Sequence, residues 1–460
     1  MSSDPTTPCL LFEALFCKPV HAAFDEPHGS SDGGALLLKA ADRRLGLLDR
    51  MAACLRDDRQ PGKVAHDLRE LFAQRVFAIA CGYPDGNDAA RLAFDPIHKL
   101  LADRDPVTGD PLASQPTLSR FENAVTRKDC YRLADALAQT VVERHKARLK
   151  GRPVYRVTLD LDPTDDPTHG AQQLALFNGF YDTWCYLPIL GFLRFNDEPE
   201  QHLFAAVLRP GNAHATKGAL GILRRILNLL REAFPKALFR IRLDGGFATP
   251  EVFDFLDEQL DTDYVVAMAK NKVLKRRGHR LLGRVRRHSR RTRRTERLYG
   301  ECWYAAGTWP TGRRVIYKAE VLREPGKDPK DNLRFVVTNI SGDPKKIYED
   351  VYCARGEVEN RIKELHNGMA IGRTSCCQFW ANQFRVLLTA AAYVLMQEVR
   401  CAAAKTKLAR AQVSTLREHL IKLGARVVES ARRVVIHLPI TFPYVESWNR
   451  IALALNAKPG

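Results

Sequence analysis

The amino-acid sequence predicts an α/β protein in which a mixed sheet with covering helices follows a helical N-terminal domain. Three observations support this class. From Gly34 to about His145, apolar residues recur at three- and four-residue steps, which is typical of helices. From Tyr155 onward they alternate with polar residues, which is typical of strands. A strongly basic segment and three further strand patterns then interrupt the α/β part before the chain turns helical again.

The helical N-terminal domain, residues 1–150, contains one pattern that suits base recognition. Ser114 is a typical N-cap residue, and Pro116 fits the first turn of the helix that follows. Polar side chains then surround Leu118 and Phe121, as in the recognition helix of a helix-turn-helix. An ordinary capped surface helix explains the same residues at least as well. The side chains that would face base edges are those of Gln115, Thr117, Ser119 and Arg120.

The first part of the α/β core is predicted over residues 151–270, after a basic hinge at 148–153. Its strand and helix patterns alternate in the order expected for a mixed sheet with helical cover. The predicted strands cover 155–161, 187–195, 202–209, 238–243 and 264–269, and the predicted helices cover 213–233 and 250–259.

A basic arm and a β-rich insertion are predicted over residues 271–345. From Lys270 to Arg297 there are 14 Lys or Arg and one acid, which supplies +13 of the net charge of +18. A segment so basic is typical of a solvated, flexible arm that can lie along phosphates. The candidates for DNA contact are Arg286, Arg287, Arg290, Arg291, Arg293 and Arg294. Strands are predicted over 301–309, 314–323 and 333–340, then helices over 346–365 and 379–407 in the last part of the core (346–410), and an α/β tail over 411–460.

Composition limits the class of partner and of compartment. With 45% hydrophobic and 27% charged residues, the chain of 460 residues can bury several cores and is not mainly disordered. The 71 Lys and Arg against 53 Asp and Glu indicate a polyanionic partner, nucleic acid first and an anionic membrane surface second. The longest strongly apolar run, 386–396, is too short for a bilayer span of about 20 residues. The N-terminus does not resemble a signal peptide, and eleven cysteines without a CxxC pair favour a reducing cytosol and no structural zinc.

Carboxylates at the ends of predicted strands are the candidates for chemistry. Asp160 and Asp162 close the first strand on one face, since residues two apart in a strand point the same way. Asp244 closes the strand after the long helix, and Glu359 lies on the helix after the insertion. Such acids can converge in an open α/β sheet and suit Mg²⁺ or Mn²⁺, although strand-end aspartates are also common turn formers. Two such ions can clamp both oxygens of a phosphoryl transfer, and the basic surface would fit a phosphodiester polymer.

Six motifs occur in order between about residue 25 and about residue 445. They lie at 82–88, 112–123, 159–182, 208–212, 242–247 and 352–364, and include LDLDPTDDPTHGAQ, LRPGN, RLDGGF and YCARGEVENRIKE. Together they resemble the DDE transposases of bacterial insertion sequences, specifically the group-one branch. Several long motifs in the right order are more specific than any one of them.

The resemblance implies a ribonuclease-H-like catalytic core, interrupted by a β-rich insertion before the last acid. It further implies that Asp162, Asp244 and Glu359 are the catalytic and metal-binding triad, with two Mg²⁺ or Mn²⁺ ions. The family's first acid precedes a small residue and then Thr or Ser, as the acid at 162 precedes Pro and Thr. Asp162 is therefore preferred to Asp160, which stays open as the alternative and as a further metal ligand.

The family's last helix carries a signature of Tyr, Arg, Glu and Lys. Tyr352, Arg355 and Glu359 match it, and His366 stands where the family has Lys. Steps of three, four and seven residues return to one side of a helix. Arg355 can bind a phosphate bidentately, whereas a neutral His366 would hold one less strongly than Lys. Lys363 is a further candidate for DNA contact on this helix.

The resemblance also implies a function. It describes a transposase that binds the terminal inverted repeats of its own insertion sequence, cuts the strands and joins the free 3′ hydroxyls to target DNA. The expected partners are double-stranded DNA of both kinds and a second copy on paired ends, in the bacterial cytosol at the nucleoid, with no membrane. The alternatives are a ribonuclease-H-like nuclease that cuts without joining, and a DNA-binding protein without catalytic activity.

Three aromatic residues of the insertion, Trp303, Tyr304 and Trp309, have two interpretations. Aromatic rings can stack on an unpaired base at a transposon end. They can equally form the core of a small sheet, and this second interpretation is preferred for two of the three.

Overall fold

Seven α-helices precede the central sheet in the part of the chain that the structure describes, residues 9–13 and 15–459 of a computed structural model. Residues 1–8, on which the expectation about a signal peptide partly rests, lie outside the described residues. Three short strands come first, β1 (Leu10–Phe12), β2 (Val20–Ala22) and β3 (Gly29–Ser30). The helices are α1 (Leu36–Leu45), α2 (Leu47–Ala53), α3 (Leu68–Cys81), α4 (Gly86–Arg91), α5 (Pro96–Leu101), α6 (Gln115–Asn123) and α7 (Arg127–Arg148).

The predicted strands and helices of the first core segment are all present in the predicted order. The elements are β4 (Arg156–Pro163), β5 (Asp166–Pro167), β6 (Leu176–Asn178), β7 (Thr183–Tyr186), β8 (Ile189–Phe195), β9 (His202–Val207), α8 (Ala219–Ala233), β10 (Leu238–Leu243), α9 (Pro250–Asp257) and β11 (Thr262–Met268). The small sheet β5-β7-β6 was not predicted, because its strands have only two to four residues.

The central sheet is mixed, with β4 in the middle of the core strands. Strands β9, β8 and β4 are successively antiparallel, whereas β4, β10 and β11 are parallel. Helix α9 makes the crossover between the parallel strands β10 and β11, as parallel pairing requires. This arrangement is consistent with the ribonuclease-H-like core that the resemblance implies.

The basic segment is a helix, and the prediction of a flexible arm is wrong. Helix α10 (Lys272–Thr292) has 21 residues, about 31 Å at 1.5 Å per residue. Its buried residues recur at three- and four-residue steps and face the strands that follow, which keeps the segment helical. These residues are Leu274, Gly278, Leu282, Val285 and Ser289. This apolar stripe is narrow and lies among many arginines, so the sequence pattern did not indicate a helix.

The three strands of the predicted insertion extend the central sheet. They are β12 (Glu296–Tyr304), β13 (Arg313–Leu322) and β14 (Lys330–Thr338). Strand β14 pairs antiparallel with β11, so the full sheet runs β12-β13-β14-β11-β10-β4-β8-β9. The predicted domain boundaries inside this continuous sheet remain predictions.

The chain then returns to the core as helices. Helix α11 (Pro344–Lys346) leads into a π-helical segment (Ile347–Tyr352) and a 3₁₀ turn (Cys353–Arg355), followed by α12 (Gly356–Met369) and α13 (Phe379–Ala402). The stretch Phe379–Lys405 is long and apolar enough to cross a bilayer, yet 89% of its most apolar window is buried inside the protein. It is the central helix of the core.

The C-terminal elements pack back on the N-terminal region. They are α14 (Val413–Leu416), a π-helical segment (Arg417–Ile421), β15 (Ala425–Ser430), β16 (Arg433–His437) and α15 (Val445–Ala454). Strand β15 pairs with β3, and the Lys422 ammonium lies 2.7 Å from a carboxylate oxygen of the buried Asp32. The two ends of the chain therefore stabilise each other.

Three phenylalanines join the N-terminal helices to the central helix. Phe72 of α3, Phe121 of α6 and Phe384 of α13 pack edge to face, with ring centroids 5.1 to 5.5 Å apart. Edge-to-face pairs add to the free energy that their buried area contributes. The N-terminal helices thus share a core with the last part of the chain.

Replacing Phe384 by Ala should destabilise the whole protein, because it leaves a cavity against both other rings. We expect a loss of about 3–5 kcal/mol in the free energy of unfolding, measured by denaturant titration. Phe94→Ala is the matched control, because its side chain is 74% exposed and its loss should cost less than about 0.5 kcal/mol. Equal effects of the two changes would contradict this description of the core.

Candidate active site

Asp162 and Asp244 lie side by side at the ends of two parallel strands. The register of β4 and β10 pairs Leu161 with Leu243, so the next residue of each strand is an aspartate. Asp244 accepts a hydrogen bond from the backbone N–H of Gly246 at 2.9 Å, which fixes its side chain at the start of a 3₁₀ turn. The structure therefore brings these two predicted residues together.

The electrostatics around Asp162 resist its ionisation. Burial raises the pKa of Asp162 to about 6, the charges of Asp244 and Asp160 act in the same direction, and the Arg355 guanidinium opposes them. Arg355 Nη2 lies 2.7 Å from Asp162 Oδ1 but outside hydrogen-bonding geometry within the described residues. Burial thus keeps the pKa of Asp162 raised although a guanidinium lies beside it, and a bound cation would favour the ionised form.

Asp160 has a different environment from Asp162. Its two oxygens accept hydrogen bonds from Arg242 Nε at 2.7 Å and Nη2 at 2.6 Å, in a bidentate pair that is almost completely buried. Arg242 Nη1 also donates to the Val351 carbonyl at 3.0 Å. Asp160 therefore binds one strand to the next, and through Arg242 it holds the segment before α12 against the sheet.

Glu359 lies one helical turn after Arg355, but its carboxylate does not join the two aspartates. The side chain is 67% exposed and pairs with Lys363 at 2.8 Å, which lowers the pKa of Glu359. Among residues 9–13 and 15–459, the three acidic side chains do not bring their oxygens within 4.8 Å of one another. The predicted convergence of the complete triad is thus not present in this conformation.

One group of potential metal ligands does meet that distance within the described chain, and it consists of the buried residues Asp32, Cys81 and His98. His98 Nε2 lies 2.9 Å from Asp32 Oδ2, and the Lys422 ammonium lies 2.7 Å from Asp32 Oδ1. Burial raises the pKa of the Cys81 thiol, so it is not a ready thiolate ligand. The lysine already supplies the positive charge, and we assign this group a structural role.

The other residues of the predicted helix signature lie on three types of helix. Tyr352 ends the π-helical segment and packs on Tyr348, with ring centroids 5.4 Å apart. His366 Nε2 lies 3.2 Å from the Thr164 hydroxyl, two residues beyond Asp162. Burial lowers the pKa of His366, which favours its neutral form. Arg355 and His366 therefore both face the end of β4.

Two residues that sequence patterns did not single out lie beside the acids. Burial, and then the charges of Asp165, Asp162 and Asp244, raise the pKa of Tyr181 to about 12. Arg209 is 3% exposed, and burial lowers its pKa to about 10. Both stand in motifs that carry the resemblance, but no spacing rule assigns either one a role.

Arg209 orders the loop next to Asp244. Its Nη1 donates to the carbonyls of His214 and Ala215 at 2.9 and 2.8 Å, and its Nε donates to the Leu187 carbonyl at 2.7 Å. A Cβ on Gly246 would lie 2.8 Å from the Ala215 side chain, so this loop touches the turn that Asp244 caps. Nη2 of the same guanidinium is buried without a partner in the described structure.

The predicted DNA-contact arginines lie on or just after α10. Arg287, Arg290, Arg291 and Arg294 are exposed, and Arg293 ends the helix with a φ of +59°. Arg286 is half-buried and forms an ion pair with Asp331 of β14, so its charge is partly neutralised. The helix holds the exposed guanidinium groups in fixed positions along one side of the sheet extension.

Helix α6 is present where the sequence predicts it, but not as the second helix of a helix-turn-helix. Residues 102–114 separate it from α5, whereas the two helices of that motif are joined by about 3–4 residues. A short link of residues 124–126 instead joins α6 to α7. Gln115 and Arg120 are exposed, and Thr117 and Ser119 are half-buried. The geometry favours an ordinary surface helix, and the Ser114 side chain contacts the Thr117 hydroxyl at 3.2 Å without making a capping hydrogen bond.

A mixed sheet with acids at the ends of adjacent parallel strands defines an α/β domain with a candidate site at that edge of the sheet. A sequence model of the family described as Transposase DDE domain group 1 matches residues 12–459. The chain therefore belongs to this family of transposases, which are enzymes that act on DNA. A comparison with curated protein sequences finds no match.

Replacing Asp160 by Asn should lower the stability of the fold, whereas replacing Asp162 by Asn should raise it. Asp160→Asn leaves the buried Arg242 without a charged partner, which should cost about 3–5 kcal/mol. Asp162→Asn should instead stabilise the fold above pH 6, because it removes an ionised group whose folded pKa lies above its unfolded value.

The sign of the pH dependence follows from that pKa. Below about pH 3.8, Asp162 is protonated in both states and the Asn variant gains nothing. The gain should therefore appear as pH rises from about 4 to above 6, in thermal midpoints measured across that range. A variant that is destabilised equally at pH 4 and pH 8 would contradict the raised pKa.

Proposed function

We propose that this transposase binds the terminal inverted repeats of a bacterial insertion sequence, cleaves the strands there and transfers the 3′ ends to target DNA. Asp162, Asp244 and Glu359 form its carboxylate triad. The observation that carries the proposal is the side-by-side position of Asp162 and Asp244 beneath Arg355. Membership in the transposase family over residues 12–459 supports it independently.

The residues present fit divalent metal. Asp162 and Asp244 offer hard oxygen ligands, and burial, with the charges of Asp244 and Asp160, raises the pKa of Asp162. These two residues, together with Glu359, would hold Mg²⁺ or Mn²⁺, and we propose that two such ions bind. When bound, such ions supply Lewis-acid stabilisation and a nucleophile at neutral pH.

Glu359 is free to change partners. Its ion pair with Lys363 is exposed at both ends, with side chains 67% and 63% accessible. Exposed ion pairs of this kind contribute only about 0–1 kcal/mol. Little free energy therefore opposes rotation of Glu359 toward the aspartates, and Lys363 is then released to contact DNA.

Arg355 has a role that changes with the state of the site. In the absence of substrate its Nη2 lies 2.7 Å from Asp162 Oδ1. A guanidinium binds phosphate bidentately, and Arg355 has buried nitrogen atoms without hydrogen-bond partners in the described chain. We assign it to the phosphate next to the scissile bond, where it orients the DNA strand against the acids.

Asp162, rather than Asp160, is the first acid of the proposal. Both oxygens of Asp160 are occupied by Arg242, and releasing them would leave a buried guanidinium unpaired. His366 orients Thr164 through the contact of 3.2 Å and, in its neutral form, contributes no charge to phosphate binding. Tyr352 is held by Tyr348 at the edge of the same site.

DNA binding is divided between two surfaces in the proposal. The exposed arginines after Arg286 contact phosphates and give affinity without sequence preference. The exposed side of α6, with Gln115, Thr117, Ser119 and Arg120, reads base edges, although it is not part of a helix-turn-helix. Two copies of the chain act on paired transposon ends.

Loss of the triad should abolish cleavage without abolishing binding. Asp244→Asn and Glu359→Gln should each lower the rate of nicking of terminal-repeat DNA with Mg²⁺ by more than about 100-fold, because each removes charge that stabilises the transition state. Glu357→Gln is the matched control, since Glu357 is an exposed glutamate on the same helix. Gel-shift affinity should stay within a few-fold of the parent for all three.

Other outcomes of this experiment identify the alternatives. Nicking at the parent rate by Asp244→Asn and Glu359→Gln would disprove the triad. Cleavage by the parent without joined products would favour a nuclease, and DNA binding without cleavage would favour a catalytically inactive DNA-binding protein.

Neutralising the exposed arginines on and just after α10 should reduce the salt dependence of DNA binding. Replacing Arg287, Arg290, Arg291 and Arg294 by Gln keeps helix propensity and should lower the slope of log K against log salt by roughly 0.9 for each phosphate that is no longer neutralised. Specific and random duplexes should weaken alike. Arg286→Gln is the control, because Asp331 already pairs with it and the slope should change less. An unchanged salt slope in the variant with all four replacements would show that these arginines do not contact DNA phosphates.

The exposed side chains of α6 allow a test of sequence-specific binding. Gln115→Ala with Arg120→Ala should weaken binding to terminal-repeat DNA by about 1–3 kcal/mol for each base that is no longer recognised, and leave random DNA nearly unaffected. Equal weakening on terminal-repeat and random DNA would show that α6 does not read base edges.

A further inference from the structure

A β-hairpin beside the acid pair presents aromatic rings to solvent. Strands β6 and β7 pair Phe177 with Trp184, and the two rings meet edge to face with centroids 6.3 Å apart. These side chains are 50% and 58% exposed, and Phe180 in the connecting turn is 86% exposed. We call residues 176–186 the aromatic hairpin. Large apolar side chains grouped in this way on a surface indicate a binding site.

The two faces of the aromatic hairpin differ. On the inner face, Leu176 pairs with Cys185, which is completely buried. On the outer face, Phe177 and Trp184 contact each other and remain half-exposed. Since alternate residues of a strand point to opposite faces, the aromatic residues could have been polar without loss of the inner packing. Folding alone does not account for them.

The aromatic hairpin is fixed in place. The Asn178 side chain donates to the Gly211 carbonyl at 2.8 Å and accepts from the backbone N–H groups of Phe180 and Tyr181 at 3.0 and 3.2 Å. A Cβ on Gly211 would lie 2.2 Å from the Cys185 carbonyl oxygen, so only glycine allows this close approach. The backbone that carries the rings is thus held in place.

The turn of the hairpin borders the acids. Tyr181 packs edge to face on Phe180 with ring centroids 4.9 Å apart, and burial and then the charges of Asp165, Asp162 and Asp244 raise the pKa of Tyr181. The chain that leads from Gly211 continues into the loop that Arg209 holds against the turn capped by Asp244, and Lys217 of that loop is exposed. A strand bound at the acids would therefore lie close to the aromatic hairpin.

We propose that Phe177, Phe180 and Trp184 stack on unpaired bases of the DNA strand whose phosphodiester lies at Asp162 and Asp244. The inference rests on the proposed function, because that function brings the strand to the acids. A base inside a duplex has both faces covered by its neighbours, so a protein ring can stack only on a base that is unpaired or displaced. The aromatic hairpin then separates the strand end from its complement and holds it at the acids.

The aromatic residues of the sheet extension do not offer an equivalent surface. Trp309 is 8% exposed, packs against Tyr304 at 5.5 Å and is covered by the Arg313 guanidinium. Trp303 is 70% exposed on the same strand as Tyr304. Two of these three residues are thus core, and Trp303 is an exposed tryptophan away from the acids, which makes it a matched control.

The test compares two DNA probes that differ only in unpaired bases. One is a blunt duplex, and the other has the same duplex with a short thymidine overhang, because stacking tolerates any base sequence. Binding of the full chain is measured without divalent metal, so that nothing is cut. We expect the parent and Trp303→Ala to prefer the overhang by about 5- to 140-fold, the range that corresponds to 1–3 kcal/mol of stacking.

Phe180→Ala and Trp184→Ala should lose that preference and bind the blunt duplex as the parent does, whereas Trp184→Phe should retain most of it. Since the replaced side chains are exposed, the thermal midpoints should not change. Absence of a preference in the parent, or its retention in both alanine variants, would overturn the proposal. The proposal would also fail if Trp184→Ala kept the overhang preference but no longer formed a dimer in sedimentation experiments. The hairpin would then be a protein interface.

The cleavage assay keeps this proposal distinct from the proposed function. If the parent shows the overhang preference but never cleaves DNA with Mg²⁺, the function fails and the stacking surface stands. If the parent cleaves DNA but shows no overhang preference, the stacking proposal alone fails.

Discussion

The ion pair between Asp160 and Arg242 joins two adjacent strands of the sheet and the helical segment that covers them. Its four charged atoms are buried, so the pair holds only because both hydrogen bonds are well formed. The remaining guanidinium nitrogen binds the Val351 carbonyl, four residues before Arg355. The position of Arg355 over Asp162, and of the turn that carries Glu359, therefore depends on an interaction that takes no part in the proposed chemistry.

Two aspartates on one face of one strand thus have opposite physical roles. Asp160 meets a complete partner and stabilises the sheet, whereas Asp162 meets one misaligned nitrogen atom and a second acid. The ionised Asp162 side chain lowers the stability of the fold, and a bound cation would offset this cost. The Asp160–Arg242 pair stabilises the same strand and allows the fold to tolerate it. A site of this kind needs both the paired aspartate and the aspartate that can bind a cation.

Sequence patterns predicted the strands of the central sheet in their order along the chain, because period-two alternation reports on which side chains are buried. They could not separate Asp160 from Asp162, since the partner of Asp160 is 82 residues away on another strand. They missed the helical nature of α10 because its apolar stripe includes only three large residues among the arginines. The convergence of Glu359 with the two aspartates was expected from the family resemblance, whereas in this structure its exposed carboxylate pairs with Lys363 on the same helix.

The positions of charge and of aromatic rings suggest how the molecule could separate affinity from selection of the reacting bond. Helix α10 lies on the extension of the sheet and offers arginines at fixed spacing, which suits the regular phosphates of a duplex. The aromatic hairpin lies at the acids on the other side of β11 and suits only bases that have left the duplex. A duplex could therefore bind tightly along α10 without being cut, and the strand would reach Asp162 and Asp244 only where it opens. In that arrangement the opening of the duplex, rather than binding, decides which phosphodiester reacts.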